Sequence, residues 1–307
     1  MAITSEEAKK ELAPLLANGK LCIFAGSGVS VEKPSKLPTW EGFVDKYIEI
    51  CKSLSDTVKD QIDFTSIIDD ATSYRGKDIV GTITALKNFI VKCKESGLVP
   101  ALSENEINTM FASSNYNEYH KAIVGTNYKH ILTTNYDLLL ENAALKTGYK
   151  KLSAKTYTYK NLDRISEMIY TNSPAIVHIH GASPGVPLEE FIITKDDYKK
   201  IKDKNPGFRL LMNTLFTSNS MLMVGYGGSD PHLEDIIDDI NLSLGWQTSQ
   251  KQLELPTYYL ILLKDKCSAI REYIKNQSRT KVISVDSFEE SLDLLKYLCK
   301  KFPRPND

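Results

Sequence analysis

Two histidines one residue apart, His178 and His180, close an apolar run, Ala175-Ile176-Val177, and His180 is followed by Gly181, where a chain can open into a loop. A histidine at a strand end facing a cleft suits a general base near neutral pH. Asn135 and Asp137 follow another apolar pair, Ile131-Leu132, within Thr133-Thr134-Asn135-Tyr136-Asp137. Asn135 offers both a donor and an acceptor, which suits ribose hydroxyls or a positioned water. Gly26-Ser27-Gly28-Val29-Ser30 follows the run Leu21 to Ala25. Glycines there let backbone approach a pyrophosphate, and exposed N–H groups can bind it. A fourth loop runs from Gly225 through Tyr226, Gly227, Gly228, Ser229 and Asp230 to Pro231 and His232.

Each cluster has a plainer alternative. The dinucleotide fingerprint fails at its third glycine, where Val31 stands, so the first loop is also compatible with an ordinary tight turn. Asp137 is placed to cap a following helix. The fourth loop, with Ser229 as N-cap and Pro231 in the first turn, also reads as a helix entry. His178 and His180 would point to one side of a strand, as a metal pair does. No third ligand stands nearby, so no metal is expected.

These clusters need strands to hold them. The spacing predicts strands at 130–134, 175–180, 190–194, 220–225, 257–263 and 281–285. It predicts helices at 136–146, 195–203, 207–217, 230–241, 267–276 and 288–301. Alternation of helices with near-continuous apolar strands implies an α/β fold, a Rossmann-like doubly wound parallel sheet. Ligands of such sheets bind beyond the carboxyl ends of the strands, so clusters distant in sequence can share one site. Thr4-Ser5-Glu6-Glu7 fits a capping box for a first helix. From about 39 to about 125 the apolar residues recur at helical spacing, with a polar loop from Lys92 to Asn105, which implies a helical insertion. The chain is then one domain over 1–307, its core built from about 18–38 and 126–302. The tail, Pro303 to Asp307, is expected to fray.

With 307 residues, a net charge of -1 and 25% charged residues, the chain has length for a sizeable core and no basic field that favours nucleic acid. Its five cysteines, Cys22, Cys51, Cys93, Cys267 and Cys299, include no CxxC pair. No apolar run is long enough to span a bilayer and no signal peptide opens the chain, so a cytoplasmic protein without membrane contact is expected.

In order and spacing these motifs resemble the sirtuin-like family, particularly the prokaryotic domains of anti-phage defence. The family's G-A-G-x-S loop corresponds to Gly26-Ser27-Gly28-Val29-Ser30, its T-x-N-x-D segment to Thr133 through Asp137, its catalytic His-Gly pair to His180-Gly181, and a late loop to Gly225 through Asp230. The resemblance implies NAD as substrate. Asn135, Asp137 and His180 would be the catalytic set, with Asn135 on the nicotinamide ribose and water, Asp137 ordering that site and His180 as base. Ala25, Gly26, Ser27, Gly28, Ser30 and Thr133 would hold the phosphate side, and Gly225, Tyr226, Ser229 and Asp230 the adenosine side or far wall. Two departures matter. The four-cysteine zinc ribbon of the protein deacylases is missing, and Pro38-Thr39-Trp40 stands where they carry a Phe-Arg pair.

The resemblance therefore implies an NAD hydrolase that yields nicotinamide and ADP-ribose, an NAD-depleting effector of abortive infection. The alternatives are an NAD-dependent protein deacylase and a non-catalytic NAD or ADP-ribose-binding subunit. Taking 307 residues as the whole chain leaves no room for a sensor domain, so gating is expected from homo-oligomerisation or an activating partner. A HerA-type ATPase, an Argonaute-like protein or a phage protein would fit.

Overall fold

The computed structural model describes residues 2–58, 65–95, 97, 109–113, 115–183, 191–226, 255–267 and 279–307. Among the described residues eight strands form a single sheet: β1 (Ala2–Ile3), β2 (Leu21–Ala25), β3 (Ile131–Thr133), β4 (Thr156–Thr158), β5 (Ile176–His178), β6 (Ser220–Val224), β7 (Tyr258–Leu263) and β8 (Thr280–Val285). Their order is β1-β8-β7-β6-β2-β3-β5-β4, and every neighbouring pair is parallel. The chain leaves β2 toward β3 on one side and returns at β6 on the other, so the switch point of the sheet lies between β2 and β6.

Strand β2 shows why the sheet is covered on both faces. All five of its residues are buried, and they divide by parity. Leu21, Ile23 and Ala25 join one core with α1 (Ser5–Ala17), α5 (Glu118–Gly125), α6 (Leu139–Lys146) and α11 (Phe288–Lys301). Cys22 and Phe24 join the opposite core with α8 (Leu162–Thr171), α9 (Lys195–Lys204) and α10 (Pro206–Ser218). A strand buried on both faces must be apolar throughout, which is the run visible in the sequence.

The 39–125 stretch holds α2 (Trp40–Val58), α3 (Thr65–Ser73), α4 (Ile79–Glu95) and α5, with no strand among its described residues. The first three share a third core with Phe111, Tyr136, Phe191 and Ile193. They are tied to α9, which flanks the sheet, by a buried ion pair, Lys87 Nζ to Asp197 Oδ2 at 2.8 Å. The same carboxylate caps α9, accepting from the Ile193 and Thr194 N–H groups. The Thr4–Glu7 capping box of α1 is present as expected.

Several local expectations are corrected. Residues 191–194 form no strand; the Ile192 N–H donates to the His180 carbonyl at 3.0 Å, and Phe191 and Ile193 pack in the core of the helical layer. Helix α6 begins at Leu139 rather than at 136, and β5 ends at His178 rather than at 180. Helix α4 runs through Glu95 where a loop was expected. The expected helix at 230–241 lies outside the described residues, as does that at 267–276 beyond Cys267. Two edge strands carry no clear sequence pattern: β1 is two residues long, and β4, Thr-Tyr-Thr, is half-buried and mostly polar. Helices α7 (Lys150–Ala154) and α8 add to the expected set, and in α8 Leu162, Ile165, Met168 and Ile169 carry a helical period.

The tail does not fray. Pro303 bridges Thr126, and the Arg304 N–H donates to the Gly125 carbonyl at 2.7 Å. The buried Arg304 guanidinium donates to the carbonyls of Val124, Thr126 and Tyr128 at 2.8, 3.0 and 3.1 Å. This satisfies the exit of α5 and the approach to β3 in one stroke. Removing the side chain strands three acceptors, each costing about 1–3 kcal/mol when buried. Arg304→Ala should therefore lower the unfolding free energy by about 3 kcal/mol or more in urea titration, with Arg304→Lys recovering part. A loss below about 1 kcal/mol would show that water satisfies these carbonyls.

Candidate active site

The loops after β2, β3, β5, β6 and β7 meet over a cleft of about 200 Å³ at the carboxyl end of the sheet. Gly26, Ser27, Gly28, Ser30, Asn135, Asp137, His180, Gly225 and Tyr226 all line it. Ser229 and Asp230 lie outside the described residues. Ala25 and Thr133 sit beneath the wall, fully buried: the Thr133 hydroxyl donates to the Ala25 carbonyl at 2.8 Å and accepts the Asn135 N–H at 3.0 Å. They shape the cleft without lining it.

The glycine loop differs from the expected phosphate cradle. Residues Ser27–Ser30 form a single 3-10 turn. The Gly26 N–H donates to Val224 and the Gly28 N–H to Gly225, at 2.8 and 2.9 Å, so both donors are already committed to the neighbouring strand end. A Cβ on Gly26 would fall 2.7 Å from the Gly225 carbonyl oxygen, and one on Gly225, which has a φ of +73°, would fall 2.7 Å from Val29 N. The glycines are required first by loop-to-loop packing at the switch point.

That turn delivers Ser30 into a buried polar hub. Its hydroxyl donates to Asp137 Oδ2 at 3.0 Å, accepts from Asn135 Nδ2 at 3.2 Å and lies 3.2 Å from His120 Nε2. Asn135 Oδ1 is buried and has no hydrogen-bond partner among the described residues. Burial pushes the Asp137 carboxyl up to about 6, against the pull of the Leu139 N–H and the Ser30 hydroxyl. Asp137 acts as the expected cap, its Oδ1 accepting the first N–H of α6 at 3.1 Å, and it also borders the cleft.

The two histidines part company because β5 ends between them. His180 lines the cleft, its ring edge-on to Tyr198 at 5.4 Å. His178 is fully buried, with Nδ1 2.8 Å from the Asn135 carbonyl oxygen and Nε2 2.8 Å from Glu141 Oε1. Among the described residues no group of His, Cys, Asp and Glu could hold a metal ion.

Some participants carried no motif. His120 is buried in α5, and burial pushes it down to about 3, so the ring is neutral. Asn117 caps α5 and clamps the glycine turn by donating to the Val29 carbonyl at 2.8 Å. An Asn three residues before a His was a cap signal, but nothing in it pointed to Ser30. Pro38, Thr39, Trp40, Phe43 and Phe111 give the cleft an aromatic side wall, and Lys266 lies on its β7 side.

A model of the SIR2-like domain matches residues 129–283, half of the chain. The chain is similar to defense-associated sirtuin 2 of Bacillus subtilis, 27% identical over 243 residues, which cover 78% of this chain and 20% of that protein. It is also similar to the NAD(+) hydrolase ThsA of Enterococcus faecium, 26% identical over 210 residues (61% and 41% of the two chains). The ThsA of Cytobacillus dafuensis is 22% identical over 324 residues, 99% of this chain and 58% of the relative. The chain thus spans from a fifth to under three fifths of the length of these relatives.

The raised Asp137 carboxyl gives a stability signature. Folding favours its protonated form, so this contribution is full below its ordinary value of 3.8 and is lost as pH rises through about 6. The stability of the protein relative to Asp137→Asn should fall by about 2 kcal/mol between pH 4 and pH 7 in chemical denaturation. Parallel curves for the two proteins would show that Asp137 titrates normally.

Proposed function

The chain belongs to the SIR2-like domain family, and from that membership we propose that its cleft binds NAD and cleaves the nicotinamide–ribose bond to give nicotinamide and ADP-ribose. One observation carries this reading: Asn135, with its Oδ1 still unsatisfied, shares a cleft with His180 at the switch point of a parallel sheet. The names of the relatives, NAD(+) hydrolases and a defense-associated sirtuin, support it.

Breaking this bond develops positive charge on the ribose, in an oxocarbenium-like transition state like that of other glycosidic cleavages. Nicotinamide leaves as a neutral molecule, so no acid is needed. The Asn135 amide accepts from a ribose hydroxyl or the incoming water and is held by Ser30. His180 takes the proton of the water that attacks the anomeric carbon. Asp137, ionised above about pH 6 and nine-tenths buried, sits where a negative charge favours the developing cation. Gly26, Ser27, Gly28, Gly225 and Tyr226 wall the path of the dinucleotide.

In this reading the protein depletes NAD during anti-phage defence and is held in check until it assembles with copies of itself or with an activating partner. Incubation with NAD and chromatographic separation of products should show nicotinamide and ADP-ribose in equal amounts. His180→Ala and Asn135→Ala should each slow release by about 10²–10⁴-fold. Nicotinamide release that survives in His180→Ala at the wild-type rate removes His180 from the mechanism.

A further inference from the structure

His178, like Thr133, lies under the cleft without lining it, and both of its ring nitrogens meet an oxygen. Its Nδ1 meets the Asn135 carbonyl and its Nε2 meets the Glu141 carboxylate, each at 2.8 Å. Both partners are oxygens of accepting groups, so two protons must be shared between ring and carboxyl. Either the ring is an imidazolium against a carboxylate, or a neutral ring keeps its proton on Nδ1 and Glu141 donates to Nε2. Burial opposes the imidazolium, but the Glu141 carboxylate and the Asn135 carbonyl outweigh it and raise the His178 pKa. The charged groups that face the ring are Glu141 from α6 and Asp137 from the β3 turn, and both favour the proton.

In either form an N–H rests on the Asn135 carbonyl. The Asn135 N–H is held from within its own turn by the Thr133 hydroxyl at 3.0 Å. Both backbone groups of Asn135 are thus fixed by buried side chains, and only its side-chain torsions remain. Nδ2 then reaches Ser30, and Oδ1 is left for a ligand.

We propose that His178, held by Glu141, is a positioning residue for Asn135: its Nδ1–H fixes the Asn135 carbonyl and so sets how the amide enters the cleft. The inference rests on the reading that Asn135 serves NAD cleavage. Supporting partners of this kind are typically worth 10- to 100-fold in activity.

The test uses His178→Leu combined with Glu141→Leu, which removes both polar groups and strands no charge, beside Glu141→Gln, whose amide can donate to Nε2 of a neutral ring. The double variant should lose about 10- to 100-fold in kcat per NAD-binding site, with Kd for NAD within about threefold. Backbone hydrogen exchange over 133–137 should quicken about tenfold or more. Glu141→Gln should stay within about threefold of wild type on all three measures. A purely structural role would lower stability and leave kcat per folded molecule and exchange over 133–137 unchanged; that result overturns the proposal. Were the wild type to leave NAD intact, the proposed function would fail, and the exchange measurement would still decide the positioning role. Should the double variant not fold, His178→Phe with Glu141→Gln takes its place, with the same expected losses and the same overturning result.

Discussion

Gly26 and Gly28 on one loop and Gly225 on the other meet backbone to backbone, and a Cβ at any of the three would fall 2.7 to 2.9 Å from the facing chain. This close approach continues the β2–β6 pairing, which runs from Leu21 opposite Ser220 to Ala25 opposite Val224, past the end of the strands. The Gly26 and Gly28 N–H groups extend the ladder by two more bonds. With the loops locked, the 3-10 turn has one path, and that path carries Ser30 inward to its three polar neighbours. A larger residue at any of these positions would part the loops at the switch point, and the hub would lose its centre before any ligand contact was touched.

At that centre one hydroxyl proton has two claimants. With Asp137 ionised, Ser30 donates to it, and the neutral His120 ring then offers Nε2–H to Ser30, which leaves Nδ1 to accept the Asn117 N–H at 3.2 Å although the Asn117 Oδ1, an acceptor, lies 2.8 Å from the same nitrogen. With Asp137 protonated, the carboxyl can donate to Ser30, which frees the hydroxyl proton for His120. Burial drives Asp137 toward the second arrangement up to about pH 6 and keeps His120 neutral in both. The hub therefore holds no net charge in acid and a single negative one at neutral pH, close to where the proposed reaction develops a cation.

The sheet was legible because its central strands are apolar on both faces, and the strand-end clusters could be read because each follows such a run. Asn135, Asp137, His180, Ser30, Gly26, Gly28 and Gly225 could therefore be read from sequence as strand-end residues, and all of them border the cleft. What the sequence concealed depends on tertiary proximity. His120 reads as a helix residue like any other, and its link to Ser30 arises only where α5 packs beside the glycine turn. The His178–Glu141 pair joins two strand-to-helix units, and a two-residue spacing puts His178 and His180 on one side of a strand only if the strand runs through both, whereas β5 ends at His178. Arg304 stands in a tail with two prolines, a composition that predicts fraying, and no local pattern announces three carbonyls waiting for it.

The helices of residues 40–95 are coupled to this site through Tyr136, the residue between Asn135 and Asp137. Its ring packs in the cluster of Phe43, Phe111 and Phe191, with centroids 4.9 to 6.3 Å away, while its hydroxyl donates to the Ile192 carbonyl at 2.8 Å. On the far side of the same layer, Lys87 in α4 is bound to the carboxylate that caps α9, whose Tyr198 meets the His180 ring. The helical layer thus grips both sides of the cleft, one through the neighbour of Asn135 and the other through the neighbour of His180. Close-packed aromatic clusters and buried ion pairs do not deform by degrees. A shift of α2 or α4 must therefore either move the Asn135 turn and α9 with it or break the contacts that join them, and in both cases the spacing of Asn135 and His180 changes.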